Sequence, residues 1–269
     1  MYIDFHTHIF PDKVAAKAIP KLAGLVHLEP STDGTARGLL GSMDKAQIKL
    51  SVTLPAVTDP HQFDSILRFA HSINEAQYKD GLKLLSFAGI HPDCSDINEK
   101  LTLIKNYGFK GIKLHPDYQH TCFHDIRFKR ILYKATELDL ISVTHTGMDP
   151  YSPDKIHCTP QMILDVLRDV APKKLVLAHM GSNGNYDEAE ALLMGQDVYL
   201  DTAYSILHMN LEQLVRMVRA HGADRILFAS DAPWSCQGED VQVLDSLPLT
   251  EEEKQAIGYK NAEKLLELS

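Results

Sequence analysis

Short apolar runs recur along the whole chain, and each of them ends in a turn residue or a polar residue. Several runs are rich in β-branched side chains, which is typical of strands that are buried on both faces. There are eight such runs, the number that a closed barrel of parallel strands requires. The predicted strands are Tyr2–Phe5, Ile48–Leu54, Leu84–Ile90, Gly111–Leu114, Leu140–Val143, Leu175–Ala178, Val198–Leu200 and Ile226–Ala229.

Helix-like stretches lie between the predicted strands. In Gln62–Tyr78, apolar side chains recur at intervals of three and four residues from Phe63 to Ile73, which is the pattern of a helix with one buried stripe. Thr250 followed by Glu253 is a capping-box signal and predicts that a helix begins there. The other predicted helices are Pro160–Val170, Leu211–Ala220 and a C-terminal region that runs through Asn261–Leu268.

The alternation of strands and helices implies a parallel sheet. We therefore predict an α/β fold, a TIM (β/α)8 barrel, as a single domain over residues 1–269, since such a barrel uses about 250 residues. A doubly wound open sheet is the competing architecture, but no glycine-rich phosphate loop follows the first predicted strand. Residues 9–45 are predicted to form a long excursion with a short helix near Asp12–Leu25, a type of connection that often covers active sites.

Charge and composition limit the partners. The net charge is −9, from 27 Lys and Arg against 36 Asp and Glu, and no basic block occurs, which argues against nucleic acid and an anionic membrane surface as partners. Four cysteines without a CxxC pair are typical of reduced intracellular thiols. The sequence shows no signal-peptide pattern and no run of about 20 apolar residues, so we expect a cytoplasmic protein with a small-molecule substrate.

Histidines lie at the ends of several predicted strands. The first strand ends in His6-Thr7-His8, and because side chains alternate along a strand, both imidazoles point to the same side. His145 and His179 end the fifth and sixth strands, and Asp231 ends the eighth. In a barrel these ends converge on one rim, where catalytic groups lie. Neutral imidazoles and a carboxylate suit Zn²⁺, so the pattern predicts a metal centre.

The motifs DFHTH, GIKLHP, THTG, AHMG and SDAPW resemble the signature positions of the amidohydrolase superfamily. More narrowly, they are similar to the group that includes aminocarboxymuconate-semialdehyde decarboxylase. The resemblance implies that His6, His8, His145 and Asp231 hold the metal, and that His179 polarises the substrate or moves protons. It favours one Zn²⁺ ion, whose bound water would have a pKa lowered to about 7, and Asp231 would also accept the proton of that water.

Lys113 of GIKLHP has the parity of a residue that faces into the barrel, where a lysine is costly unless it is paired. Some members of the superfamily carry a carboxylated lysine at this strand that bridges two metal ions. In the decarboxylase-like group the site has one ion, and a lysine here could bind a substrate carboxylate or phosphate. We favour one ion; pairing of Lys113 with a buried acid such as Asp4 is a third, structural interpretation.

Other residues near the predicted rim are candidates for contact with the substrate or with the metal ligands. The alternative for Arg37 is an ordinary solvated charge, and for the aromatic residues it is packing. Asp4 has the parity of His6 and is expected to support the ligands rather than to bind the metal. The candidates are Lys113, His115, His91, Asp4, Arg37, Tyr118, Tyr204 and Trp234.

Two reactions compete. The first expectation is hydrolysis of a C–O or C–N bond in a small molecule, with His179 stabilising developing charge and Asp231 as general base. The alternative is non-oxidative decarboxylation of a small unsaturated or aromatic carboxylic acid. A catalytically inactive scaffold and a metal-dependent deoxyribonuclease are weaker alternatives, the latter because Lys113 stands where such enzymes usually have a glutamate. A homodimer is consistent with the resemblance, although no apolar stripe predicts its interface.

Overall fold

A computed structural model describes residues 1–80 and 83–268 of the chain. The strands are short and are listed here in chain order: β1 (Tyr2–Thr7), β2 (Ile48–Thr53), β3 (Leu84–Ser86), β4 (Ala88–Gly89), β5 (Gly111–Leu114), β6 (Ile141–Thr144), β7 (Leu175–Leu177), β8 (Tyr199–Asp201) and β9 (Ile226–Leu227). The helices are α1 (Asp12–Val26), α2 (Ala36–Ala46), α3 (Phe63–Asp80), α4 (Ile97–Asn106), α5 (Ile126–Glu137), α6 (Pro160–Val170), α7 (Tyr186–Leu193), α8 (Ser205–His208), α9 (Leu211–His221), α10 (Gln237–Ser246), α11 (Glu251–Gln255) and α12 (Asn261–Leu266).

The chain forms two compact units. Unit 1 consists of Met1–Thr53, Asn74–Leu85 and Asp201–Ser269, and unit 2 of Leu54–Ile73 and Ser86–Leu200. Within the described residues, no helix is long and apolar enough to span a membrane.

In unit 1, β1 pairs in parallel with β2, and β3 follows β2 in the sheet. The segment after β9 runs along the other side of β1, since the N–H of Phe5 donates to the carbonyl of Phe228 and the N–H of Asp231 donates to the carbonyl of His6. The side chains of Ile3 and Phe5 are fully buried. This arrangement places the ends of β1 and of the β9 segment side by side.

In unit 2, the parallel strands β4 to β8 lie in sequence order. The register places Lys113 beside Val143, and Thr144 beside Leu177. Leu114, Val143 and Leu177 are all fully buried, as expected for parallel strands that are covered on both faces.

Most predicted elements are confirmed, with shifted ends. All eight apolar runs contain strand residues, but Leu84–Ile90 forms two strands, because β3 follows β2 whereas β4 pairs with β5. The capping box of Thr250 and Glu253 is present. The predicted C-terminal helix ends at Leu266, where Glu267 takes a left-handed conformation, and residues 256–260 before it form a π-helical turn.

The excursion after β1 contains the predicted helix as α1 and a second one, α2, that the pattern does not show. Gly38 and Gly41 lower the helix propensity of α2. Its start is stabilised by Thr35, whose hydroxyl accepts a hydrogen bond from the N–H of Gly38 at 3.0 Å.

Candidate metal centre

Unit 1 brings three of the predicted metal ligands together. His6 lies near the end of β1, and His8 follows that strand; their ring centroids are 5.0 Å apart. Asp231 follows β9, and its segment is held to β1 by backbone bonds, including one from the N–H of His8 to the carbonyl of Ala232. His6 and Asp231 are buried, and His8 is half-buried.

The ligand atoms of this trio converge. One carboxylate oxygen of Asp231, Oδ1, lies 3.0 Å from Nε2 of His8 and 3.4 Å from Nε2 of His6. Two ligands that each bind one ion at about 2.1 Å are about 3.0 to 3.4 Å apart at octahedral or tetrahedral angles. The donor set and its spacing therefore fit a divalent cation.

Asp201, at the end of β8, orients His6. Its Oδ2 lies 2.9 Å from Nδ1 of His6, and the carboxylate is fully buried. With the ring proton on Nδ1, this N–H donates a hydrogen bond to Asp201, and the lone pair of Nε2 is directed to a metal. Carboxylates commonly fix histidine ligands in this way. Asp201 is not among the residues that the sequence pattern predicts for the site, although it directly follows the predicted strand Val198–Leu200.

Asp4 accepts hydrogen bonds from the segments that carry His6 and Asp231, and its supporting role at a metal site stays a prediction. Its carboxylate accepts hydrogen bonds from the N–H and the hydroxyl of Ser230 at 3.0 and 2.6 Å, and from the side-chain amide of Gln237 at 2.7 Å. The N–H of His6 donates to the same carboxylate at 3.2 Å. Burial raises the pKa of Asp4 to about 6, and these donors oppose that rise.

A second buried carboxyl lies on α10 of the same unit. Burial raises the pKa of Asp240 to about 9, and the negative charges of Asp4, Asp231 and Glu239 add to the rise, while hydrogen bonding from Ser235 opposes it. The hydroxyl of Ser235 lies 3.0 Å from both oxygens of Asp240. Asp240 is therefore neutral at pH 7.

Unit 2 contains the other two predicted histidines, side by side. Nδ1 of His145, which follows β6, lies 3.0 Å from Nε2 of His179, which follows β7. This distance is that of a hydrogen bond between the two nitrogens. It is also the distance expected between two nitrogens that bind the same metal ion. Burial lowers the pKa of His145 well below its usual range, with smaller contributions from His115, His179 and Lys113, so the ring is neutral.

Three further side chains surround the opposite nitrogen of His145, its Nε2. Oδ2 of Asp117 lies 3.8 Å away and Oδ2 of Asp149 lies 3.7 Å away, while Nε2 of His115 lies 3.6 Å from the same oxygen of Asp149. The His115 and His145 rings stack at 4.4 Å between centroids with only 8° between their planes. Because imidazole lone pairs lie in the ring plane, two parallel rings do not point at one ion, which makes this group less suited to a metal than the trio in unit 1.

The remaining candidates of unit 2 are buried or half-buried. Lys113 on β5 is 1% exposed, and its charge acts on His145. His91 is buried, and its Nδ1 accepts a hydrogen bond from the N–H of Asp93 at 3.1 Å. The half-buried ring of Tyr118 stacks on His115 with centroids 3.8 Å apart.

Three candidates belong to unit 1. Tyr204 is half-buried, and its ring stacks on that of His208 at 3.9 Å. Trp234 is half-buried as well. Arg37 lies exposed in the first turn of α2. This position does not support the predicted contact with substrate, which stays a prediction.

The comparisons with known proteins identify the family of the chain. A model of the amidohydrolase family matches residues 3–268. The chain belongs to the amidohydrolase family. No curated protein matches the chain.

Solved structures resemble this amidohydrolase over nearly its full length. A TIM-barrel protein from Bordetella bronchiseptica has a TM-score of 0.78 at 17% identity, covering 99% of this chain and 98% of its own. The 2,6-dihydroxybenzoate decarboxylase from Rhizobium has a TM-score of 0.73 at 18% identity, with 99% and 98% covered. The 5-carboxyvanillate decarboxylase from Novosphingobium aromaticivorans, solved with manganese, has a TM-score of 0.76 at 16% identity, with 100% and 96% covered. These similarities show that the fold is the predicted TIM barrel.

Proposed function

We propose that this amidohydrolase is a metal-dependent decarboxylase of a small aromatic or unsaturated carboxylic acid. The trio of His6, His8 and Asp231, with Asp201 behind His6, carries the proposal, because its two imidazoles and its carboxylate converge at a spacing that fits a divalent cation. The choice of reaction is supported by full-length similarity to decarboxylases of dihydroxybenzoate and carboxyvanillate. The sequence alone favours hydrolysis. The similarity to these solved structures favours decarboxylation instead.

The trio would hold one divalent cation. Two imidazoles and a carboxylate suit Zn²⁺, and manganese is bound in the carboxyvanillate decarboxylase, so we propose Zn²⁺ or Mn²⁺ as the ion. When bound, the ion supplies positive charge that stabilises negative charge on the substrate oxygens. His145 as a further ligand stays a prediction.

The net reaction breaks the bond between the carboxyl carbon and its neighbour. The electron pair of that bond stays on the neighbouring carbon, a proton takes the place of the carboxyl group, and carbon dioxide leaves. We assign the proton transfer to His179, whose imidazole is buried in unit 2. Lys113, buried in the same unit, supplies a cationic group that can bind a carboxylate.

Hydrolysis remains the second candidate, and one observation favours it. The Asp231 carboxylate lies within 3.4 Å of both imidazole nitrogens of the trio. A carboxylate in that position can take a proton from a water molecule.

An assay panel separates the two reactions. Hydroxybenzoates and unsaturated carboxylic acids are tested alongside lactones and amides, with detection of carbon dioxide and, in D2O, of deuterium at the carbon that lost its carboxyl group. We expect carbon dioxide release and deuterium incorporation, both lost in His179→Asn and retained in His124→Asn, which changes an exposed histidine of the same unit. Cleavage of a lactone or amide without carbon dioxide release would refute decarboxylation and support hydrolysis.

A further inference from the structure

The two ring nitrogens of His145 face chemically different neighbours. On one side, Nδ1 lies 3.0 Å from Nε2 of His179. On the other side, Nε2 faces carboxylate oxygens of Asp117 and Asp149 at 3.8 and 3.7 Å. A neutral imidazole has a single ring proton, so the neighbours decide which nitrogen carries it.

Asp117 is held so that one of its oxygens is directed at His145. It is fully buried, and its Oδ1 is 2.9 Å from Nδ1 of His157 and accepts a hydrogen bond from the hydroxyl of Ser152. Its other oxygen, Oδ2, has no hydrogen-bond partner within the described residues, and the same is true of Nε2 of His145. These two buried atoms are the ones that lie 3.8 Å apart.

We propose that Asp117 and Asp149 are positioning residues that keep the ring proton of His145 on Nε2, so that His145 presents the lone pair of Nδ1. With a bare Nε2, the imidazole lone pair would face Oδ2 of Asp117, which has no hydrogen-bond partner within the described residues, and two facing lone pairs in a buried site are costly. With the proton on Nε2, its N–H points towards two carboxylates, and Nδ1 is free to accept a hydrogen bond from Nε2 of His179. A carboxylate that holds one nitrogen of a histidine while the other binds a metal is a common arrangement in metal sites.

The use of the Nδ1 lone pair, for a cation or for His179, rests on the proposed function, whereas the position of the proton does not. The same logic applied to His6 gives the opposite assignment. There, Asp201 faces Nδ1, so the proton lies on Nδ1 and Nε2 is presented. The two histidines are therefore inferred to present different ring nitrogens.

The test is nuclear magnetic resonance of the full-length protein labelled with 15N at the histidine rings, as purified and after removal of metal. Long-range proton–nitrogen correlations distinguish the protonated ring nitrogen from the bare one, and His145→Gln identifies the signals of His145. We expect Nε2–H in the metal-free wild-type protein. In Asp117→Asn and in Asp149→Asn, we expect the preference for this tautomer to fall about tenfold, because a charged acceptor is lost.

Asp93→Asn is the matched control, since Asp93 lies 3.9 Å from a different imidazole, that of His91, and its replacement should leave the His145 signals unchanged. Asp117→Glu keeps the negative charge that Asp117→Asn removes, so it should keep the wild-type preference for the Nε2–H tautomer. A wild-type proton on Nδ1 would overturn the inference even if a variant did not fold, and so would an unchanged preference in both Asn variants. Zn²⁺ added to the same sample tests the metal proposal separately: failure to bind would refute that proposal and leave the tautomer assignment standing.

Discussion

Asp201 orients His6, a proposed metal ligand, because its carboxylate lies 2.9 Å from Nδ1, whereas Nε2 is the ring nitrogen near Asp231. Its second oxygen accepts a hydrogen bond from the N–H of Ala203 at 3.1 Å, which fixes the carboxylate in turn. Such a chain of contacts sets both the tautomer and the direction of the ring. The position of the Nε2 lone pair thus depends on a residue that itself does not bind the ion.

We predict that Asp201→Asn weakens the binding of Zn²⁺ or Mn²⁺ by about 10- to 100-fold, since removal of such a partner has this effect in other metal sites. Competition with a chromophoric chelator measures the dissociation constant. Asp197→Asn, an exposed aspartate before β8, is the control and should bind as the wild type does. Equal affinities for the Asp201 variant and the control would show that this carboxylate does not orient His6.

We predict that the free energy of unfolding depends on pH through Asp240. Its pKa is about 9 in the folded protein and 3.8 for an unperturbed aspartate, so folding takes up a proton between these pH values, and the free energy of unfolding falls as pH rises through that range. Asp240→Asn removes this dependence. We expect the stability of the variant relative to the wild type to increase with pH by up to about 1.4 kcal/mol per pH unit between pH 4 and pH 8, with the difference disappearing towards pH 4.

Urea unfolding at pH 5 and pH 8 measures that difference. Asp197→Asn serves as the control, because Asp197 is an exposed aspartate that does not contribute to the raised pKa of Asp240, and this variant should keep the pH dependence of the wild type. If the Asp240 variant and the wild type lost stability in parallel between the two pH values, Asp240 would not hold a proton in the folded state.

At the scale of single elements, strand parity explains what the sequence could predict. It selected His6, His8 and Asp231, which the structure brings together. It did not find Asp201 as the partner of His6, because that contact depends on how side chains of two different strands pack, which the pattern along one strand does not show. Asp117 was missed for a different reason, since it lies beyond the end of β5, in a turn where no periodicity indicates the direction of a side chain.

The loop after β6 depends on a glycine. Gly147 has a φ of +83°, and a Cβ there would lie 2.0 Å from the backbone nitrogen of Asn183. Backbone bonds join these segments on both sides of the glycine: the N–H of Met148 donates to the carbonyl of Asn183, and the N–H of Asn183 donates to that of Thr146. The close approach thus fixes the segment that immediately follows His145.

We predict that Gly147→Ala lowers the free energy of unfolding by more than about 2 kcal/mol, because a positive φ and a backbone clash add together. Gly108→Ala is the matched control: its φ is +80°, but a Cβ there meets nothing within 4 Å, so only the conformational cost of about 1 to 2 kcal/mol remains. Denaturant unfolding of both variants isolates the clash. Equal losses of stability would mean that the loop moves away from Asn183 at little cost.

At the scale of the molecule, the proposed metal ligands come from distant parts of the sequence. His8 and Asp231 are 223 positions apart, yet their ligand atoms are separated by 3.0 Å within unit 1. Since the ligands converge only in the folded chain, an ion that binds them stabilises the folded state over the unfolded one. Metal binding should therefore be visible in the thermal stability of the protein as well as in its activity.

We predict that a chelator lowers the melting temperature and that excess Zn²⁺ or Mn²⁺ restores it. At a free ion concentration of 100 times the dissociation constant the gain is about 2.7 kcal/mol, which corresponds to about 5 to 10 °C for a protein of this size. In His6→Ala and in Asp231→Asn the shift should disappear, whereas in His124→Ala, which changes an exposed histidine of unit 2, it should persist.

Elemental analysis of the same samples counts the ions: one per chain agrees with the trio alone, and a second would favour a carboxylated Lys113. If His6→Ala kept the wild-type metal content and the full increase in melting temperature on metal addition, the trio would not be the metal site, because other residues would then hold the ion.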